Sequence, residues 1–117
     1  MQDKRTLSRI PAKLIADCAR CVNEKFAAEH FISFTKDISL EGARLVASKK
    51  IKPGENLLVS LDIPNLFIPL LVYGEIVWTD IMKKEDSSAA GFSEAGIRFL
   101  KIDPSDAEKL EEFLSSE

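Results

Sequence analysis

The sequence predicts a mainly β protein: a six-stranded antiparallel barrel followed by one C-terminal helix. Three observations carry this expectation. Short apolar runs recur along the chain with turn residues between them. The hydrophobic period changes only once, near Asp103. The 117 residues, 45% hydrophobic and 30% charged, suit one compact core and are too few for two.

The elements follow in order. Residues 1–10 read as a flexible basic leader, because Ile10 precedes Pro11 and is pushed away from helix. The domain proper is expected over 11–117. Ala12 to Val22 is strand-like, and Phe26 to Thr35 is a second strand with Phe26, Phe31 and Phe34 as apolar anchors. Ala43 to Ala47 is a short third strand, and Pro53-Gly54 marks a turn. Asn56 to Ile63 is the fourth strand, closed by Pro64-Asn65. Phe67 to Thr79 is the fifth, with Pro69 near its start, where proline is tolerated. Residues 83–91 are small and polar and predict a mobile loop. Gly96 to Ile102 is the last strand. Asp103 then fits an N-cap, with Pro104 at the first helical position. Ala107, Leu110 and Leu114 recur at helical spacing, giving an amphipathic helix over 103–115. Strands separated by turns suggest a closed or nearly closed barrel, with the helix over an end or an open side.

Charge narrows the function. The net charge of −3 argues against a general nucleic-acid surface. Residues 1–20 are nevertheless basic, with Lys4, Arg5, Arg9, Lys13 and Arg20 against Asp3 and Asp17. Residues 103–117 hold six acids against Lys109. A basic segment on an acidic chain suggests a local anion site. Leu66 to Tyr73 is the longest apolar run, too short to span a bilayer and broken by Pro69, so no membrane insertion is expected. The opening Met1-Gln2-Asp3-Lys4-Arg5 lacks an apolar signal region, which makes a cytoplasmic protein the default. Cys18 and Cys21 form C-x-x-C, but with one histidine, His30, and no second cysteine pair they read as small apolar strand residues. No nucleophile–base pair, metal cluster or Gly-rich phosphate loop is legible, so neither an enzyme nor a cofactor is expected.

Two clusters carry the chemistry. Arg5-Thr6-Leu7-Ser8-Arg9 is R-x-x-x-R in the leader, and Asp37-Ile38-Ser39-Leu40-Glu41-Gly42 is D-x-S-x-x-G between two strands. Each alone is weak: paired arginines are usually solvated, and Asp, Ser and Gly are ordinary turn residues. Together, and in this order, they resemble the signature of the PilZ domain family. Gly74-Glu75-Ile76-Val77-Trp78 resembles that family's G-x-V-x-W strand, and Gly96-Ile97-Arg98-Phe99-Leu100 with the following Asp-Pro resembles its closing strand and helix start.

The resemblance implies a PilZ-type β-barrel that binds the bacterial second messenger cyclic di-GMP and works as a small receptor or adaptor for an unidentified downstream protein. It assigns Arg5 and Arg9 to guanine edges and phosphates, which an arginine fork can match bidentately. Lys4 adds charge. Asp37 would accept from guanine N1–H and N2–H₂, Ser39 would donate its hydroxyl, and Gly42 would let the backbone turn or approach the ligand. Trp78 has two readings, a ring stacked at the site or a core or rim residue packed under the helix. Arg44 and Arg98 are alternative basic neighbours of the site, expected to be solvated rather than ligand-bound. The ligand would bridge leader and barrel, and docking of the arm would change the surface that the partner reads. The competing readings are a PilZ-fold interaction module without ligand, an enzyme, and a small nucleic-acid-binding barrel.

Overall fold

The computed structural model describes residues 9–22, 25–81 and 92–116. The predicted mobile loop at 83–91 and most of the predicted leader, including Lys4 and Arg5, lie outside them.

The strands are β1 (Ile10–Pro11), β2 (Ile15–Val22), β3 (Lys25–Ile38), β4 (Gly42–Ala47), β5 (Asn56–Leu61), β6 (Leu70–Ile81) and β7 (Ser93–Ile102), followed by α1 (Pro104–Ser116). All pairings are antiparallel. Hydrogen bonding runs β3-β2-β5-β6-β7-β4, and β4 pairs back onto β3, which closes a six-stranded barrel. Closure removes the unpaired edges that an open sheet would expose. The two-residue β1 adds to β3, pairing Ile10 with Ile38 and Pro11 with Asp37. Pairing thus begins one residue inside the segment read as leader.

The alternation that predicted the strands points inward as expected. β5 sends Leu57, Val59 and Leu61 into the core, where β2 contributes Ala16 and Cys18, and β6 contributes Leu70, Val72 and Ile76. The helix has Leu110 fully buried, with Phe113 and Leu114 packed half-buried beside it. Asp103 caps it as predicted. Its Oδ1 accepts from the Ser105 N–H at 3.0 Å and the Ser105 hydroxyl at 2.8 Å, which holds its carboxyl below the usual range. Asp106 ties the helix to the barrel, accepting from the Leu71 N–H at 3.3 Å.

β7 begins at Ser93, three residues before the predicted Gly96, and β3 and β4 each begin one residue early, at Lys25 and Gly42. The starts of β2 and β6 come later than predicted, each for a local reason. β2 begins at Ile15, not Ala12, because the register against β3 slips by one residue between Pro11, opposite Asp37, and Ile15, opposite Phe34, so that residues 12–14 face only 35–36. The buried Thr35 hydroxyl spans this irregularity, accepting from the Leu14 N–H at 2.9 Å and donating to the Ala12 carbonyl at 2.5 Å. β6 begins at Leu70, not Phe67. Asn65 adopts a left-handed φ of 72°, and the turn it makes leaves Phe67 and Ile68 exposed before Pro69.

Cys18 is a core residue. Burial pushes its thiol from 9.0 up to about 11, outweighing the Ser33 hydroxyl 3.4 Å away, which lowers it. A folded pKa above the unfolded one stabilises the fold below pH 9.0, and that contribution is lost as the pH rises towards 11. Cys18→Ala should therefore show a shallower loss of melting temperature across this alkaline window than the parent. Parallel slopes would contradict the buried thiol.

Candidate functional site

The D-x-S-x-x-G segment is the turn from β3 into β4. Ser39 builds it: the buried hydroxyl accepts from the Glu41 N–H at 3.1 Å and the Gly42 N–H at 3.2 Å, and lies 3.3 Å from the Gly42 carbonyl. The Ser39 N–H donates to the same carbonyl at 2.8 Å. Gly42 sits where β4 crosses close to β7, and a Cβ there would run into the Ile97 carbonyl oxygen. Both residues hold the turn in shape, and Ser39 does not line the adjoining hollow.

Asp37 owes its position to a bulge. β3 pairs Thr35 with Leu45 but Asp37 with Arg44, so Lys36 is the extra residue. Strict alternation from the buried Thr35 would turn Asp37 inward and Ile38 outward. The bulge reverses the phase, so Ile38 enters the core and Asp37 faces Arg44 and Arg9.

From there the register lays out one row across the barrel wall. Asp37 opposes Arg44, Arg44 opposes Gly96, and Gly96 opposes Trp78. A second bulge, between Ile76 and Trp78, leaves Val77 and Trp78 both exposed while Ile76 stays in the core. The Trp78 indole lies over Gly96, seven positions along β6 from Leu71, where the helix meets the strand. The row, with Arg9 at its head, lines a hollow of about 570 Å³ bordered also by Glu41, Gly42 and Arg98.

Its electrostatics centre on Asp37. Its carboxylate is largely covered and takes one guanidinium on each oxygen: Arg9 at 3.0 Å on Oδ1 and Arg44 Nε at 2.6 Å on Oδ2. Arg44 also reaches Glu94 at 3.3 Å, and Lys36 meets Glu94 at 3.5 Å. The hydrogen bond to Asp37 raises the Arg44 pKa further. Arg44 and Arg98, read from sequence as solvated, are both ion-paired, Arg98 to Glu75 at 2.9 Å. Of the residues named in advance, Arg9, Asp37, Gly42 and Trp78 come together on one hollow, and Ser39 stands behind it. The sequence assigns no site role to Gly96 or Glu94, and it offers Arg44 only as an alternative basic neighbour. A β-bulge leaves no mark in composition, and the register it sets is what brings these residues into the row. Among the described residues, no group of three or more His, Cys, Asp or Glu could hold a metal ion, and no helix is long and apolar enough to cross a membrane.

Gly96 should be decisive for the indole. A Cβ there meets the Trp78 ring, whose exposed side chain can swing away. Gly96→Ala is expected to keep the far-ultraviolet circular dichroism of the barrel and lose most of the near-ultraviolet tryptophan band. An unchanged band would mean that the ring does not rest on Gly96.

The family model for the PilZ domain matches residues 3–116, and the chain belongs to that family. Comparison with curated proteins gives no match. Solved structures agree in fold. The Bacillus subtilis inhibitor of motility (MotI/DgrA) superposes with a TM-score of 0.71 at 14% identity, over 92% of this chain and 48% of that one. The PilZ domain with c-di-GMP of YcgR from Escherichia coli gives 0.66 at 14% identity, over 93% and 87%. MrkH of K. pneumonia in its apo state gives 0.68 at 13% identity, over 99% and 51%. This chain thus spans about half the length of MotI/DgrA and of MrkH. The family is one of cyclic di-GMP receptors, ligand-binding and adaptor domains rather than enzymes in general.

Proposed function

We propose that this protein is a cyclic di-GMP receptor and that the Arg9–Asp37–Arg44–Gly96–Trp78 row is the barrel's part of the site. The observation that carries the reading is the Asp37 carboxylate, held on an outward-facing row with Arg9 on one oxygen. A guanidinium offers a carboxylate the same kind of paired N–H donors as guanine N1–H and N2–H₂. A guanine can therefore replace Arg9 on Asp37, and the freed fork can turn to a guanine O6/N7 edge or a phosphate. Trp78 supplies a flat apolar face for a base. Arg5 and Lys4 bring further charge from the arm. Ser39 and Gly42 act mainly by fixing the turn that presents Asp37.

In this mechanism the ligand exchanges one arm contact for several. Arg9 moves from a carboxylate to the ligand, residues 4–9 dock with it, and the altered rim is what a downstream protein reads. Cyclic di-GMP is made and read inside bacterial cells, so the proposed receptor works in the cytoplasm, on motility or biofilm formation. Calorimetric titration tests the reading. Cyclic di-GMP should give saturable heat, GMP a much weaker response and cyclic di-AMP none. Absence of heat with cyclic di-GMP would leave the chain as a PilZ-fold interaction module without this ligand.

A further inference from the structure

The charged side chains at the head of the row form a chain of alternating sign. Lys36 Nζ lies 3.5 Å from Glu94 Oε1, and Arg44 Nη1 lies 3.3 Å from Glu94 Oε2. Arg44 Nε then lies 2.6 Å from Asp37 Oδ2, and Arg9 Nη1 3.0 Å from Asp37 Oδ1. The bulge in β3 makes this possible. Its extra residue, Lys36, reaches out on the same side as Asp37, so one strand supplies both a cation for Glu94 and an anion for Arg44.

The two guanidinium groups on Asp37 are not equivalent. Arg44 sits inside β4, paired with β3 on one side and β7 on the other, and its fork spans two carboxylates. Arg9 lies one residue before β1, and Asp37 is its one partner among the described residues. The difference in side-chain contacts comes from Glu94. Its carboxylate is largely covered and holds the far end of the Arg44 fork.

A guanine that offers N1–H and N2–H₂ to Asp37 has to move a cation aside. Moving Arg9 breaks one contact, whereas moving Arg44 breaks two and strips Glu94 of the nearer of its two cations. Arg44 need not leave, because two carboxylate oxygens offer about four lone-pair sites. An Arg44 that stays fixes the plane of the carboxylate, and the parallel donors of a guanine edge are directional enough to need that plane.

We propose that Glu94 is a positioning residue for guanine recognition: by tying down Arg44 it orients the Asp37 carboxylate and leaves Arg9 as the cation that the ligand replaces. This rests on the cyclic di-GMP reading of the row, and it names the residue that couples ligand entry to release of the arm. The test is a calorimetric titration of cyclic di-GMP into the parent, Glu94→Gln, Arg44→Ala and the double variant. Glu94→Gln keeps the side-chain shape and removes the charge. It should weaken binding about tenfold in the parent, the scale of coupling within one polar network. In the Arg44→Ala background it should add no loss, because Glu94 acts through Arg44. A general loss of fold quality would instead cost the same in both backgrounds. The Arg44 Nε–H signal in proton–nitrogen spectra gives a second readout. It should stay protected from water exchange when the parent binds ligand, and exchange about tenfold faster in Glu94→Gln. This signal decides the matter if Arg44→Ala binds too weakly to read. Parent-like behaviour of Glu94→Gln, an equal loss in both backgrounds, or loss of the Arg44 signal on ligand binding to the parent overturns the proposal. No heat with the parent removes the receptor reading and this inference with it. Heat with the parent and an indifferent Glu94→Gln removes this inference alone.

Discussion

Replacing Arg9 by alanine is expected to weaken cyclic di-GMP binding by about 10- to 100-fold, the worth of one bidentate contact to a guanine. Stability should barely move. The Arg9 side chain is about half exposed, and Asp37 keeps its 2.6 Å partner Arg44 when Arg9 is gone. A pair whose guanidinium is half in solvent contributes at most about 1 kcal/mol to folding. Arg9→Lys separates charge from shape. It keeps the positive charge but not the planar fork, and should recover only a small part of the affinity. Calorimetric titration and thermal melting of the three proteins give both quantities. Equal affinity of the parent and Arg9→Ala would remove Arg9 from the site.

Leu110→Ala is expected to destabilise the fold by about 2–5 kcal/mol, the range for deleting a buried leucine side chain. Leu110 is the helix residue with no exposed surface, and Phe113 and Leu114 are only partly buried beside it. Leu110 is therefore the main anchor of the helix, with the half-buried Phe113 and Leu114 and the exposed Asp106–Leu71 hydrogen bond as supplements. Urea denaturation followed by circular dichroism reads the loss. A change below about 1 kcal/mol, the level of an ordinary surface substitution, would mean that the helix is peripheral to the core. The row proposed as the ligand site lies further along β6, so under that proposal the folded variant in buffer without denaturant should bind cyclic di-GMP as the parent does.

The order of elements was legible because each strand has its own alternation and turn residues, and because the helix brings its own cap at Asp103. Arg9, Asp37 and Ser39 were legible because they fall in short motifs whose spacing is local. The roles were less so. Ser39 carries a hydroxyl that suits a ligand, yet the turn uses it on Glu41 and Gly42. Arg44 looked like any strand arginine. Its place beside Asp37 depends on the extra residue Lys36, and Trp78 reaches Gly96 only through the bulge at Val77. Register across strands far apart in sequence is a tertiary property, and no local pattern encodes it. Phe67 misled for the opposite reason. Its hydrophobicity signalled a strand, but the Pro64-Asn65 turn leaves it in solvent.

β7 has a consequence for the protein's birth on the ribosome. It pairs with both β4 and β6, and it supplies Gly96 between Arg44 and Trp78. Until residues 93–102 have emerged, β4 and β6 lack the neighbour that joins them and the barrel wall stays open. Such gaps between distant segments are the slow step of β-rich folding and the moment of greatest exposure to misassembly. The same strand also completes the row. A nascent chain ending before β7 would hold the arginines and the aspartate but not the surface that connects them to the tryptophan. If the row is the proposed site, recognition would arrive together with closure, and an unfinished protein would not act as a sponge for the messenger.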